Sequence, residues 1–319
     1  MTQPNKKPLN IACAIDDSFV YPLSVMLISV LENNTEENIF IHLFSVSLSD
    51  SFILFFEKLV KKYNQSFKFY RLDADIFKNL PVNDRISYAT YYRILMPSNI
   101  DKSVDRFLYL DADIIVDGNL SPIFSIDLKD KVFGAVNDIT AIDGNMHIKH
   151  SIPDNYLYFN AGVLLIDRVK WIECLATEKV LKYLKDFRSL CDFHDQDALN
   201  ATLYKERYPL LPEWNQQIGL FFIEHSLLDK VYSLNYIKAI KNPIVIHYNG
   251  SEKPWHYVSE HPFRKQFIRY AKLVEDLSFK NTFSFKKFVK RFIVYKFIGW
   301  GRVNKYYYYK TKPTSSGKE

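Results

Sequence analysis

Along the first 72 residues, the apolar positions switch repeatedly between short continuous runs and helical spacing. Residues 9–15 form an apolar run suited to a buried strand, and 22–31 follow with an apolar stretch of helical length. A second strand is predicted over 39–46. Beyond it, Phe52, Phe55, Phe56, Leu59 and Val60 recur at helical spacing, which predicts an amphipathic helix from Ser49 or Asp50 to about Tyr63. Residues 67–72 read as a third strand. Strands and helices of these lengths in alternation predict an α/β fold: a mixed, mostly parallel sheet flanked by helices. Sheets of this kind receive ligands beyond the carboxyl ends of their strands.

Further strands are predicted at 106–110, 132–136, 159–166 and 243–247, and helices over 169–187 and about 196–204. The stretch 140–155 is polar and aperiodic, which predicts a long loop or lid. No run of eighteen uncharged apolar residues occurs, so no spanning helix is expected. Residues 1–10 are polar and lack the apolar stretch of a secretory signal. Cys13, Cys174 and Cys191 are odd in number and far apart, a usage that fits reduced core thiols in the cytoplasm.

Charge changes this picture at one end. The whole chain carries +6, but from Lys280 to Glu319 there are eleven Lys or Arg and one acid, a net of +10. The preceding 279 residues therefore sit at −4. Residues 285–298 can be drawn as a helix with Phe285, Phe288, Val289, Phe292 and Tyr295 on one side. Lys286, Lys287, Lys290 and Arg291 cluster on another, and Trp300 and the tyrosines at 306–309 follow. This predicts a basic, aromatic, helical C-terminal tail over 263–319. It should bind an anionic membrane surface, placing the protein peripherally on the inner face of the cytoplasmic membrane. Nothing before residue 280 suggests nucleic-acid binding.

The central chemical candidate is Asp111-Ala112-Asp113, set between apolar residues 107–110 and 114–116. Two carboxylates at i and i+2, leaving a buried strand, can converge on one divalent cation. A departing nucleotide diphosphate needs such a cation to neutralise its charge. Hard oxygen ligands suit Mg²⁺ or Mn²⁺, and an added imidazole favours Mn²⁺. The apolar run 244–246 delivers His247 at a strand end in the same way. Gly250 would let backbone approach a phosphate, and Lys253 could hold it as a point charge. The same acidic spacing recurs at Asp73-Ala74-Asp75 and Asp195-Gln196-Asp197, where capping aspartates on a solvated loop are the plain alternative. For His247 that alternative is a structural hydrogen bond.

Five motifs then stand in order: Ser87-Tyr88-Ala89-Thr90-Tyr91-Tyr92-Arg93, Asp111-Ala112-Asp113, Tyr158-Phe159-Asn160-Ala161-Gly162, His194-Asp195-Gln196-Asp197 and His247-Tyr248-Asn249-Gly250 with Lys253-Pro254-Trp255. Together they resemble family 8 of the glycosyltransferases, which includes lipo-oligosaccharide galactosyltransferases and lipopolysaccharide glucosyltransferases. The resemblance covers most of the chain. It implies a GT-A fold in a catalytic domain over 1–262 and a UDP-sugar donor, UDP-galactose or UDP-glucose. It also implies Mn²⁺ (or Mg²⁺), a glycan or glycolipid acceptor and retention of anomeric configuration.

By position it makes Asp111, Asp113 and His247 the metal ligands. Ala14, Asp16, Ser18, Phe19, Ala112, Gly250 and Lys253 would bind the donor. Ser18 and Phe19 stand where Asn and Tyr are common in the family; Phe19 can still stack on a uracil. Arg93 would face the donor sugar and phosphate, whereas without the resemblance it reads as a surface arginine on a tyrosine-rich helix. Asn160, inside an apolar strand, would meet a sugar hydroxyl or a backbone partner, and Asp138 would contact donor or acceptor hydroxyls. Gln196 would stand on the reactive face, with Asp195 orienting donor hydroxyls. An amide is a poor nucleophile, so a front-face route is attractive; Asp195 or another carboxylate as a transient nucleophile stays open.

Two other classes compete. Leu110-Asp111-Ala112-Asp113 also resembles the strand-end aspartates of haloacid-dehalogenase phosphatases, but it lies more than a hundred residues in and no later paired-Asp motif follows. A non-catalytic membrane adaptor would need only the basic tail and leaves the ordered polar motifs unexplained.

Overall fold

The computed structural model describes residues 6–77, 88–141, 145–221, 228, 231–232, 235–250, 253–256, 259, 261–275 and 289. In chain order its strands are β1 (Leu9–Ala14), β2 (Ile39–Ser45), β3 (Ser66–Arg71), β4 (Arg106–Leu110), β5 (Ile114–Val116), β6 (Phe133–Ala135), β7 (Val163–Asp167), β8 (Arg207–Pro209), β9 (Gln216–Gln217) and β10 (Val245–His247). Seven form one sheet in the order β3-β2-β1-β4-β7-β6-β8, and β5-β10-β9 form a second. In the large sheet β7 alone runs against its neighbours; every other pairing is parallel. This is the mixed, mostly parallel sheet that the hydrophobic pattern predicts.

The helices are α1 (Val20–Glu32), α2 (Asp50–Lys62), α3 (Tyr92–Asn99), α4 (Ser121–Phe124), α5 (Asn145–His150), α6 (Arg168–Glu173), α7 (Ala176–Asp186), α8 (Asp195–Leu203), α9 (Asn235–Lys241) and α10 (Arg264–Ala271). Strand side chains alternate between two cores, as the pleat requires. Ile11, Cys13, Leu108, Leu110, Val163 and Leu165 face α1 and α2, packing with Leu23, Leu27, Phe56 and Val60. Ala12, Tyr109, Leu164 and Ile166 face the other way, against Ile94, Met96, Trp171, Val180 and Leu199 of α3, α6, α7 and α8.

Helix α1 is apolar almost all round because it is buried on two sides. Leu23 and Leu27 enter the large-sheet core, while Val25 and Ile28 pack with Ile115 and Ile246 of the small sheet and with Phe263, Phe267 and Tyr270. The helix α10 is thereby drawn onto the same body.

Three expectations are corrected. The 169–187 helix is two helices, broken where Leu175 adopts a left-handed φ of 55°. The 159–166 strand enters its ladder only at Val163. Before that, the Asn160 carbonyl oxygen Oδ1 accepts the N–H of Gly162, and this local turn draws the backbone out of strand geometry. The 140–155 stretch is not all loop. It contains α5, whose His150 is buried with its Nε2 3.0 Å from Asp197 Oδ1. Residues 78–87, 142–144 and the tail from 276 onward, Val289 apart, lie outside the described residues, so the predicted tail helix does as well.

Candidate active site

Strand register assembles the acidic corner. β4 ends at Leu110 in the large sheet and β5 begins at Ile114 in the small one, so Asp111–Asp113 is the turn between two sheets. β10 pairs antiparallel with β5, placing His247 opposite Ile114, and Tyr248 N–H donates to Asp113 O at 3.0 Å. Two segments 134 residues apart thus deliver three candidate ligands, two carboxylates and an imidazole, to one place. One ligand atom from each of Asp111, Asp113 and His247 lies within 4.8 Å of the others. His247 Nε2 stands 3.4 Å from Asp113 Oδ1 and 3.8 Å from Asp111 Oδ2.

Gly162 lets the His247 ring and Asp111 pack directly against the backbone. A Cβ there would stand 2.9 Å from Asp111 Oδ2 and well inside contact distance of the His247 ring. The set of two carboxylates and one imidazole fits a divalent cation of the Mn²⁺ or Mg²⁺ class.

Two cations already lean on these carboxylates. Lys253 Nζ sits 2.5 Å from Asp113 Oδ2 and donates to Tyr248 O at 2.8 Å. Burial works against the charge on Asp113, but neighbouring positive charge, Lys253 foremost, outweighs it and holds the carboxyl well below the usual carboxylate range. Arg93, on α3, is buried rather than on the surface. Its Nη1 lies 3.1 Å from Asp111 Oδ1 and its Nε 2.8 Å from Asp195 Oδ2. The guanidinium also covers the ring of Tyr109 at 4.8 Å. Burial opposes its charge, yet Asp111 and Asp195 more than compensate and keep it more firmly protonated than an ordinary arginine. Asp195 also accepts from Thr90 Oγ1 at 2.9 Å. Burial pushes its carboxyl up to about 6, against the pull of Arg93 and Thr90.

Beside this lies a corner made of amides. Asp138 Oδ2 accepts from Asn160 Nδ2 at 3.1 Å and from Gln196 Nε2 at 3.0 Å. Its Oδ1 accepts from the backbone N–H and the hydroxyl of Thr140. Gln196 Oε1 in turn accepts from Ala161 N–H at 3.0 Å. Gln196 occupies the first turn of α8 and Asn200, one turn later, binds both backbone groups of Phe159. The helix is thereby pinned to the Asn160 turn.

At the carboxyl end of β1, Asp16 caps the short turn Asp17–Phe19 by accepting from Ser18 N–H. Asp16 thus serves as an N-cap, with both contacts from Ser18 falling on Oδ1. Phe19 is 36% exposed and meets Trp255 edge-on at 6.3 Å, two residues from Lys253. Ala14 and Ala112 are buried at their strand ends. Gly250 has a φ of 88° and open space where a Cβ would stand. Of the competing acidic pairs, Asp73 and Asp75 are exposed, while Asp197 is buried against Tyr158, Phe193 N–H and His150.

The pattern described as Glycosyl transferase family 8 matches residues 10–259. The chain belongs to glycosyltransferase family 8. A lipopolysaccharide 1,2-glucosyltransferase of Escherichia coli (strain K12) is 30% identical over 261 residues, covering 81% of this chain and 76% of that protein. General stress protein A of Bacillus subtilis (strain 168) is 28% identical over 82% of this chain and 91% of its own length. Among solved structures, the galactosyltransferase LgtC, in complex with donor and acceptor sugar analogues, superposes with a TM-score of 0.77. It is 25% identical and covers 85% of this chain and 98% of that one.

The architecture is thus that of a GT-A glycosyltransferase, and the phosphatase and adaptor readings fall away. Several residues that shape the site of this family 8 enzyme carried no isolated signal in the sequence. Tyr109 reads as one more apolar strand residue, yet its hydroxyl donates to Asp111 Oδ1. Asn215, fully buried, joins Asn160 Oδ1 at 2.9 Å to His247 Nδ1 at 3.0 Å. The one available hint was three consecutive amides, Asn215-Gln216-Gln217, beside a buried tryptophan.

Proposed function

We propose that this enzyme transfers a hexose, galactose or glucose, from a UDP-sugar to a glycan acceptor with retention of configuration. The acceptor is a lipo-oligosaccharide or lipopolysaccharide core or another surface glycan, and the cation is Mn²⁺, with Mg²⁺ as substitute. The observation that carries this reading is the continuity of the site. The cation corner of Asp111, Asp113 and His247 is tied to the amide corner of Asp138, Asn160 and Gln196, because Asn215 bonds both Asn160 and His247 and Arg93 pairs with both Asp111 and Asp195. Likeness to a named glucosyltransferase and a named galactosyltransferase supports the two sugars.

In this reading Asp111, Asp113 and His247 hold the cation, which would neutralise charge on the departing diphosphate. Lys253 exchanges Asp113 for a phosphate oxygen, while Phe19 stacks on the nucleobase, flanked by Asp16, Ser18 and Ala14. Gly250 and Ala112 leave room for backbone to approach the diphosphate. Arg93 orients Asp195 and Asp111 against the sugar, and Asp138 and Asn160 position its hydroxyls. The Gln196 amide is held at both ends, its nitrogen donating to Asp138 and its oxygen accepting from Ala161 N–H, and the second lone pair of that oxygen would face the positive charge that develops on the ring. Asp195, tied to Arg93 and Thr90, is a poor nucleophile in that setting. This favours acceptor attack from the face that UDP leaves, with the leaving phosphate taking the proton.

The tail from about residue 281 anchors the enzyme to an anionic membrane surface, where a lipid-linked acceptor is met. No helix among the described residues is long and apolar enough to cross a membrane. The helix α10 packs on α1 through Phe267 and Tyr270, so we draw the working boundary of the catalytic unit after Glu275 rather than at residue 262.

The test is a panel of UDP-sugars with each divalent cation and with chelator, scored by UDP release. UDP-galactose or UDP-glucose should be turned over only with metal, and NMR of the product should show the donor's anomeric configuration. Absence of UDP release from every hexose donor, with every cation, overturns the proposal.

A further inference from the structure

We infer that Asn215 is a positioning residue that sets the tautomer of His247 and couples the cation corner to the amide corner. The inference rests on the reading of His247 as a cation ligand, and its geometry can be followed from groups whose roles are not in doubt. Asp138 only accepts, so the Asn160 atom 3.1 Å from it is the donor, Nδ2. Gly162 N–H only donates, and it meets the other end of Asn160, Oδ1, at 3.0 Å. The orientation of that amide is thereby fixed twice.

Asn160 Oδ1 then faces Asn215 at 2.9 Å, which requires the Asn215 atom there to be Nδ2. Asn215 consequently turns its oxygen to His247 Nδ1 at 3.0 Å, and that nitrogen must carry the proton. In the neutral ring the remaining nitrogen, Nε2, presents a lone pair towards Asp111 and Asp113. Lys253 and Arg93 offset the two carboxylates in part, and a divalent cation placed between them would meet the bare imidazole nitrogen as a third ligand. A histidine ligand needs this arrangement, with its distal N–H held by an acceptor.

Sequence alone offers no route to it. Asn215 precedes β9, His247 ends β10, and Asn160 lies in the turn before β7. Only the parallel pairing of His247 with Gln217 brings the first two together.

The experiment uses the full chain labelled with ¹⁵N-histidine. Long-range ¹H–¹⁵N correlations report the tautomer of each ring, and His247 is assigned by its loss in His247→Gln. Free Mn²⁺ measured by electron paramagnetic resonance gives cation affinity on the same samples. The wild type should carry its proton on Nδ1. Asn215→Leu should move that proton and weaken Mn²⁺ binding by about tenfold or more. Asn215→Asp keeps an acceptor for Nδ1–H but has no donor for Asn160 Oδ1. It should hold the tautomer and bind Mn²⁺ within about threefold of wild type, while its turnover falls about tenfold.

A proton on Nε2 in the wild type, or an Asn215→Leu enzyme with unchanged tautomer and Mn²⁺ affinity, overturns the inference. So does an Asn215→Asp enzyme whose Nδ1–H is lost, and that variant decides alone if Asn215→Leu does not fold. A tautomer that responds to Asn215 in a protein that binds no Mn²⁺ would instead remove the cation reading and leave the positioning role standing.

Discussion

The acidic corner and the amide corner of this site lie side by side but are held by different physics. Asp111 and Asp113 sit in a turn between two sheets, partly open to solvent, and are balanced by charges from elsewhere: Lys253 and Arg93. Asp138, Asn160, Gln196 and Asn200 are held by short-range hydrogen bonds with nearly every donor and acceptor occupied. Charges act over distance and tolerate a shift of a few tenths of an ångström. A saturated amide network does not, because each group it loses leaves another unsatisfied. On the function proposed above, the first corner would hold ions that come and go, and the second would fix the shape of a sugar.

This contrast breaks most visibly if an acidic ligand is removed. Asp113→Ala or Asp111→Ala should lower transfer by about 10³-fold or more with the melting temperature little changed, since both side chains border solvent. Asp75→Ala, on an exposed turn, serves as the silent control. An active Asp113→Ala would put the cation elsewhere.

Arg93 joins the two corners, and its loss should be felt in folding as well as rate. Arg93→Met strands Asp111 and Asp195 without their counter-charge and should destabilise the protein by about 3 kcal/mol in urea titration. A change under about 1 kcal/mol would mean that the pair with buried Asp195 contributes little.

Within the amide corner, Gln196→Ala should lower turnover by about 10²-fold with donor KM nearly constant. An amide acting on charge that develops in the transition state affects kcat, not ground-state binding. A raised KM with unchanged kcat would instead make Gln196 a donor-binding residue.

The mildest change sharpens the comparison. Lys253 occupies Asp113 in the structure, so Lys253→Met should bind Mn²⁺ a few-fold more tightly without donor, by roughly 1 kcal/mol or less. UDP binding should weaken at the same time. Calorimetry that finds both ligands weakened would show that Lys253 supports the corner rather than competing for it.

The acidic corner was legible in the chain because it is carried by local pattern. An Asp-X-Asp turn between two apolar runs needs no knowledge of distant residues, and β4 appears where periodicity placed it. The amide corner was legible only in part. Gln196, Asn160 and Asp138 could be proposed from motif resemblance, but their mutual bonds could not, because an amide accepts partners in any direction. Arg93 illustrates the same limit. Its own neighbourhood suggests a solvated helix face, and its burial follows from carboxylates 18 and 102 positions away in the chain.

What the sequence determined by itself was therefore the α/β alternation, the strand ends and the acidic turn, all set by hydrophobic period and local sterics. Only the tertiary structure decided that α1 is sheathed on two sides, that Asn160 leaves its strand and that Leu175 breaks a helix. It alone decided that Gly162 must lack a side chain beside His247 and that Asn215 meets that ring at Nδ1. Each of these depends on which surfaces meet across the two sheets, and contacts at long sequence separation leave no periodic trace in the chain.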